Sequence, residues 1–87
     1  MLYLKVYPGP GDDIEATAQE AVALAQRLQI PIRFSFNEVI CDAYAGDDPL
    51  LLAASCKRAI SGKIKYASAD FEKNYRERVN ARKKEIE

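Results

Sequence analysis

The residues to weigh first are two carboxylate pairs, two cysteines and a run of cations near the C-terminus, because the chain contains no histidine. That absence removes the commonest general base at neutral pH and the commonest transition-metal ligand, so catalytic triads and zinc centres are not expected. Asp12-Asp13 and Asp47-Asp48 have the composition that magnesium binding or general acid–base chemistry uses. Each pair, however, directly precedes a stretch with helical apolar spacing, where a carboxylate satisfies free amides and the positive end of the macrodipole. Both pairs are read as caps. Cys41 and Cys56 lie on apolar patterns, one in an expected strand and one in an expected helix, without the close spacing of a redox or zinc motif. They are read as small core residues in preference to a nucleophile or a disulfide. Pro8-Gly9-Pro10-Gly11 has the placement of a phosphate-binding turn, but prolines lack the N–H groups such a cradle needs and Asp12-Asp13 would repel the anion. No enzyme activity, metal or cofactor is expected.

The cations are distributed unevenly. Up to Cys56 the basic residues are Lys5, Arg27 and Arg33, against Asp12, Asp13, Glu15, Glu20, Glu38, Asp42, Asp47 and Asp48. From Lys57 onward ten basic residues face Asp70, Glu72, Glu77, Glu85 and Glu87, although the whole chain has a formal charge of zero. An acidic body with a basic tail favours docking of the tail on its own body, on a second copy or on an acidic partner. Phe71, Tyr75 and Val79 form one narrow apolar stripe on that tail, with Arg76, Arg82 and Lys83 beside it. These six residues are the expected partner-binding set. The interleaved glutamates weaken a nucleic-acid reading without removing it.

Local pattern positions these groups on a simple series of elements. Leu2, Leu4 and Val6 alternate with polar neighbours and predict a strand over 1–7. Asp12 and Glu15 have capping-box spacing, and Ile14, Ala18, Ala21, Val22, Ala25 and Leu28 make one helical stripe that runs to about Gln29, where Pro31 ends it. Ile32 to Phe36 and Val39 to Ala45 predict a hairpin around Asn37-Glu38. Asp48-Pro49 opens a second helix, Leu50 to about Ser61, with Leu51, Leu52, Cys56, Ala59 and Ile60 inward and Gly62 as its terminator. Residues 63–66 read either as an edge strand or as a connector. A last helix from about Ala69 is capped by Ser68 or Asp70, with Glu72 and Arg76 spaced as an i,i+4 pair.

The expected fold is therefore α+β, with a three- or four-stranded sheet in β-α-β-β-α order, one face covered by helices, and a charged C-terminal helix. Residues 1–66 are expected to form the core domain, with Leu4, Val6, Ala21, Val22, Phe34, Phe36, Leu51 and Ile60 buried together, and 67–87 the helix. Hydrophobic residues make up 48% and charged ones 30%, a balance that excludes disorder. At 87 residues one small core is the ceiling, so self-association into a homodimer is expected to bury more apolar surface. No apolar run approaches the roughly 18 residues of a membrane span and the N-terminal stretch has no signal-peptide core, so no membrane contact and a cytoplasmic location are expected.

The stretch around Phe34-Ser35-Phe36-Asn37-Glu38-Val39 resembles the F-x-F-N-G-V hairpin of many small uncharacterised bacteriophage and prophage open reading frames, with Glu38 in place of the usual glycine. Those proteins likewise begin with a strand, a Pro/Gly turn and an alanine-rich acidic helix. The resemblance covers about the first 50 residues and carries no functional positions. It implies a phage-encoded accessory protein acting in a bacterial host cytoplasm, in a class that includes inhibitors of host enzymes and defence systems. The leading expectation is a non-enzymatic protein that binds a protein partner through the hairpin edge and the C-terminal helix. A small nucleic-acid-binding module using the basic helix is the alternative.

Overall fold

The computed structural model describes residues 2–9 and 13–86, and side chains as far as residue 80. Its first strand, β1, is only Leu4–Lys5, and runs parallel to β2, Ile32–Phe36, in the register Leu4 to Ile32. Leu4 and Val6 donate to the carbonyls of Pro31 and Arg33. The next rung towards the N-terminus would need the N–H of Pro31, which does not exist, so the strand stops short of the expected span. Leu2 is left 84% exposed and Leu4 40% exposed at this edge, which removes Leu4 from the expected core, and Val6 packs only partly against it.

Helix α1, Ile14–Leu28, is capped by Asp13, whose side chain accepts from the Glu15 amide at 2.9 Å. The expected cap Asp12 lies outside the described residues. Ile14, Ala18, Ala21, Val22 and Ala25 are buried, whereas Leu28 on the last turn is exposed. Gln29 ends the helix in the left-handed region, its amide bonded back to Ala25.

β2 pairs antiparallel with β3, Val39–Ala43, from Ile32 opposite Ala43 to Phe36 opposite Val39. The two-residue turn has positive φ at both Asn37 and Glu38, 48° and 68°, as a type I′ hairpin requires for strands of right-handed twist. Period-two alternation puts Ile32, Phe34, Val39, Cys41 and Ala43 on the core face, all of them buried. Phe36, nearest the turn, is only partly covered, a correction to its expected burial.

Helix α2, Pro49–Ser61, starts on Asp48, which accepts from the Leu50 amide, with Pro49 in the first turn. Leu52, Ala53, Cys56 and Ala59 are buried, while Leu51 and Ile60, expected to be buried, are only partly covered at its flanks. Its C-terminus is a Schellman arrangement: the Ile64 amide reaches Ala59 O at 2.8 Å, and Lys63 takes the left-handed φ of 56°. Gly62, expected in that role, has φ −90°. The stretch left open as strand or connector resolves into a connector followed by β4, Tyr66–Ser68, which runs parallel to β3. Helix α3, Ala69–Ile86, follows at once, its first turn capped by Ser68 Oγ accepting from the Phe71 amide.

The sheet order is β1-β2-β3-β4, giving β-α-β-β-α-β-α overall, an α+β fold. α1 and α2 touch each other and lie on the same face of the sheet. Because the second parallel pair runs opposite to the first while the order advances the same way, the two crossovers have opposite hands, and one is the rare left-handed form. The boundary expected after residue 66 falls inside β4, and Ala67 and Ala69 belong to the same buried cluster as the sheet and helices. Small side chains at these positions let the start of α3 close against α2. No described helix is long and apolar enough to cross a membrane.

Phe34 is fully buried, so Phe34→Ala is expected to cost about 3 to 5 kcal/mol, and Phe36→Ala clearly less, as read from urea denaturation midpoints. Lys63→Gly relieves the left-handed strain at the end of α2 and is expected to raise stability by about 1 kcal/mol in the same assay.

Candidate partner-binding groove

A helix as polar as α3 has little apolar surface with which to hold its place, and its anchor is a carboxylate. Glu72, expected only as the i,i+4 partner of Arg76, is fully buried. Arg58, on α2, donates to it through Nε at 2.9 Å and a terminal nitrogen at 2.8 Å, and Arg76, one turn along α3, donates at 3.1 Å. The Arg58 hydrogen bonds hold the Glu72 carboxyl below its ordinary range, outweighing burial, with Arg76 adding to the effect. The same Arg58 guanidinium lies 4.0 Å from the centroid of the Tyr75 ring.

This clamp opens a groove of about 590 Å³ between the C-terminal end of α2 and α3, lined by Arg58, Gly62, Ile64, Phe71, Tyr75, Arg78 and Val79. Phe71, Tyr75 and Ile64 are each more than a third exposed. Of the six expected partner-binding residues, Phe71, Tyr75 and Val79 line this groove together. Arg76 is turned to Glu72 instead, and the side chains of Arg82 and Lys83 lie outside the described residues. Arg58, Ile64 and Arg78 line the groove from outside the expected partner-binding set. Arg58 and Glu72 are 14 residues apart on different helices, and no periodic signal links them.

A second polar assembly lies on the sheet face away from the helices. Asp42 accepts from Arg33 at 2.7 and 2.9 Å and from the Tyr66 hydroxyl at 2.8 Å, and Arg33 stacks on Tyr3. Burial pushes the Asp42 carboxyl up, but the bonds from Arg33 and Tyr66 prevail and hold it low. Burial, with the Asp42 bond, raises the Tyr66 phenol. Of the expected capping pairs, Asp13 and Asp48 do cap helices, whereas Asp47 closes the turn before α2 by accepting from the Tyr44 amide. Among the described residues no group of three or more Cys, Asp or Glu is placed to hold a metal ion. Cys41 and Cys56 are both buried and free of a disulfide, and the thiol–thiol hydrogen bond with Cys56, followed by burial, raises the Cys41 thiol.

No protein-family model matches the chain, and neither does any curated protein or solved structure.

Asp42 and Glu72 titrate below their unfolded values of about 3.9 and 4.3. The stability they contribute is complete above about pH 5 and is lost as pH falls through the folded-state values. Asp47 is held high, by burial first and then by Asp70, against the Tyr44 amide; its contribution has the opposite sign and is lost as pH rises. The urea midpoint is therefore expected to drop on acidification below about pH 5, and the double variant Asp42→Asn, Glu72→Gln to show a flatter profile over the same range.

Proposed function

We propose that this chain is a non-catalytic interaction protein whose α2–α3 groove takes an apolar segment of an acidic protein partner. The observation that carries this reading is the union of apolar walls and uncompensated positive charge in one open groove. Ile64, Phe71, Tyr75 and Val79 offer the walls. Arg58 and Arg76 share the single carboxylate of Glu72, and Arg78 has no acidic partner among the described residues. Aromatic and arginine side chains around a desolvated pocket are the composition in which binding energy concentrates, with the charges steering orientation and encounter. The phage-like hairpin layout favours host enzymes and defence systems as the partner class, with a cytoplasmic site of action, and a second copy of the chain offers a further acidic surface.

The test is affinity capture from bacterial lysate, with and without nuclease, beside sedimentation of the purified chain. Wild type is compared with Ile64→Asp, Val79→Asp, which places carboxylates in the groove at positions outside the core cluster. The expected result is a discrete protein that survives nuclease treatment and binds the purified chain with an affinity reduced at least about 30-fold by the double variant. Capture abolished by nuclease would move the reading to nucleic acid, and capture indifferent to the groove substitutions would end it.

A further inference from the structure

The Sγ atoms of Cys41 and Cys56 stand 2.8 Å apart in the core, in thiol–thiol contact without a disulfide bond. Cys41 is on the core face of β3, directly opposite Phe34 on one side and Ala67 on the other, and Cys56 is on the sheet-facing side of α2. Neither residue has any exposed surface. No further metal-ligating side chain completes a site around them among the described residues, so the reaction open to the pair is with each other. The separation is only about 0.8 Å beyond the ~2.04 Å of a disulfide bond, a gap that a slight shift of α2 over the sheet closes.

We propose that Cys41 and Cys56 are a redox-modification site that forms an intramolecular disulfide tying α2 to β3. With glutathione disulfide as oxidant, the two thiols lose their protons and two electrons, one S–S bond forms between Cys41 and Cys56, and the oxidant's S–S bond is cleaved to give two molecules of glutathione. The exchange passes through a mixed disulfide, and a glutathionyl group has no room in the closed core. Oxidation therefore proceeds during folding or through transient opening of α2, and the closed protein exchanges slowly. A reducing compartment keeps the pair as thiols, and an oxidising one converts it to the crosslink. The crosslink closes a short ring through the 44–48 turn and fixes α2, the helix that carries Arg58, on the sheet.

The experiment refolds the full chain from denaturant in a glutathione redox mixture and, separately, incubates the folded chain in the same mixture. The products are read by intact mass without reductant, thiol titration in denaturant, peptide mapping and thermal melting. Refolded protein is expected to weigh two hydrogens less, to be free of titratable thiol, to map to a Cys41–Cys56 peptide, and to melt about 10 to 20 °C higher than the reduced form. The folded sample should reach the same product much more slowly. Cys56→Ser under the same refolding should keep one thiol per chain, free or as a glutathione adduct, and show no such rise in melting temperature. Two titratable thiols after refolding, glutathione adducts on wild type in place of the crosslink, or a crosslinked form that melts below the reduced one would each overturn the assignment.

Discussion

The buried carboxylate of Glu72 determines how the second half of this protein is assembled. Burying a charge is expensive unless paired and hydrogen-bonded groups surround it, and here two guanidinium groups supply three hydrogen bonds to it. Such a clamp does not necessarily add net stability over an apolar replacement, but it discriminates sharply between arrangements. Only one rotation and one axial position of α3 bring Glu72 to the fork of Arg58. Once that contact is made, Phe71, Tyr75 and Val79 are turned towards the end of α2, and the groove follows as a consequence. Arg58 and Arg76 keep roughly half of their own surface in water, so the interior is asked to accept one desolvated carboxylate and not a whole ion triad.

The rest of the core reflects a preference for small residues. Ala18, Ala21 and Ala25 on α1, Ala53 and Ala59 on α2, and Ala43 and Ala67 in the sheet are all buried. With so little side chain between them, two helices can lie on one face of a narrow sheet and touch each other. The cost is a crossover of the disfavoured hand and an opposite face without a covering layer. That face is finished with polar chemistry: Arg33, Asp42 and Tyr66 satisfy one another across three strands, so a carboxylate nearly as buried as Glu72 is stable at the sheet surface.

α2 is the element common to both assemblies. Its sheet-facing side carries Cys56 against Cys41, and two residues later Arg58 reaches out to α3. Any displacement of α2 over the sheet is transmitted to the Glu72 clamp and to the groove it shapes, because close-packed interiors pass on shifts instead of absorbing them.

What the sequence alone determined is what depends on near neighbours along the chain. The alanine stripe of α1, the Asp48-Pro49 start of α2, the hairpin at Asn37-Glu38 and the Ser68 cap of α3 are signals within three or four residues, and the structure contains each of them. The apolar stripe of α3 was legible in the same way, and so was half of the candidate site. The tertiary structure decided the remainder. The missing N–H of Pro31 shortens a strand that lies far from it in sequence, Lys63 takes the left-handed position that glycine usually fills, and of the expected inward pair Leu51 and Leu52 only Leu52 is fully buried. Glu72 was legible only as the i,i+4 partner of Arg76, and Cys41 and Cys56 as two separate core residues. Their roles arise from contacts across 14 and 15 residues between different elements. Such contacts follow from how helices settle on a sheet, and that is set by the volumes and charges of all the packed side chains together, a quantity with no period along the chain.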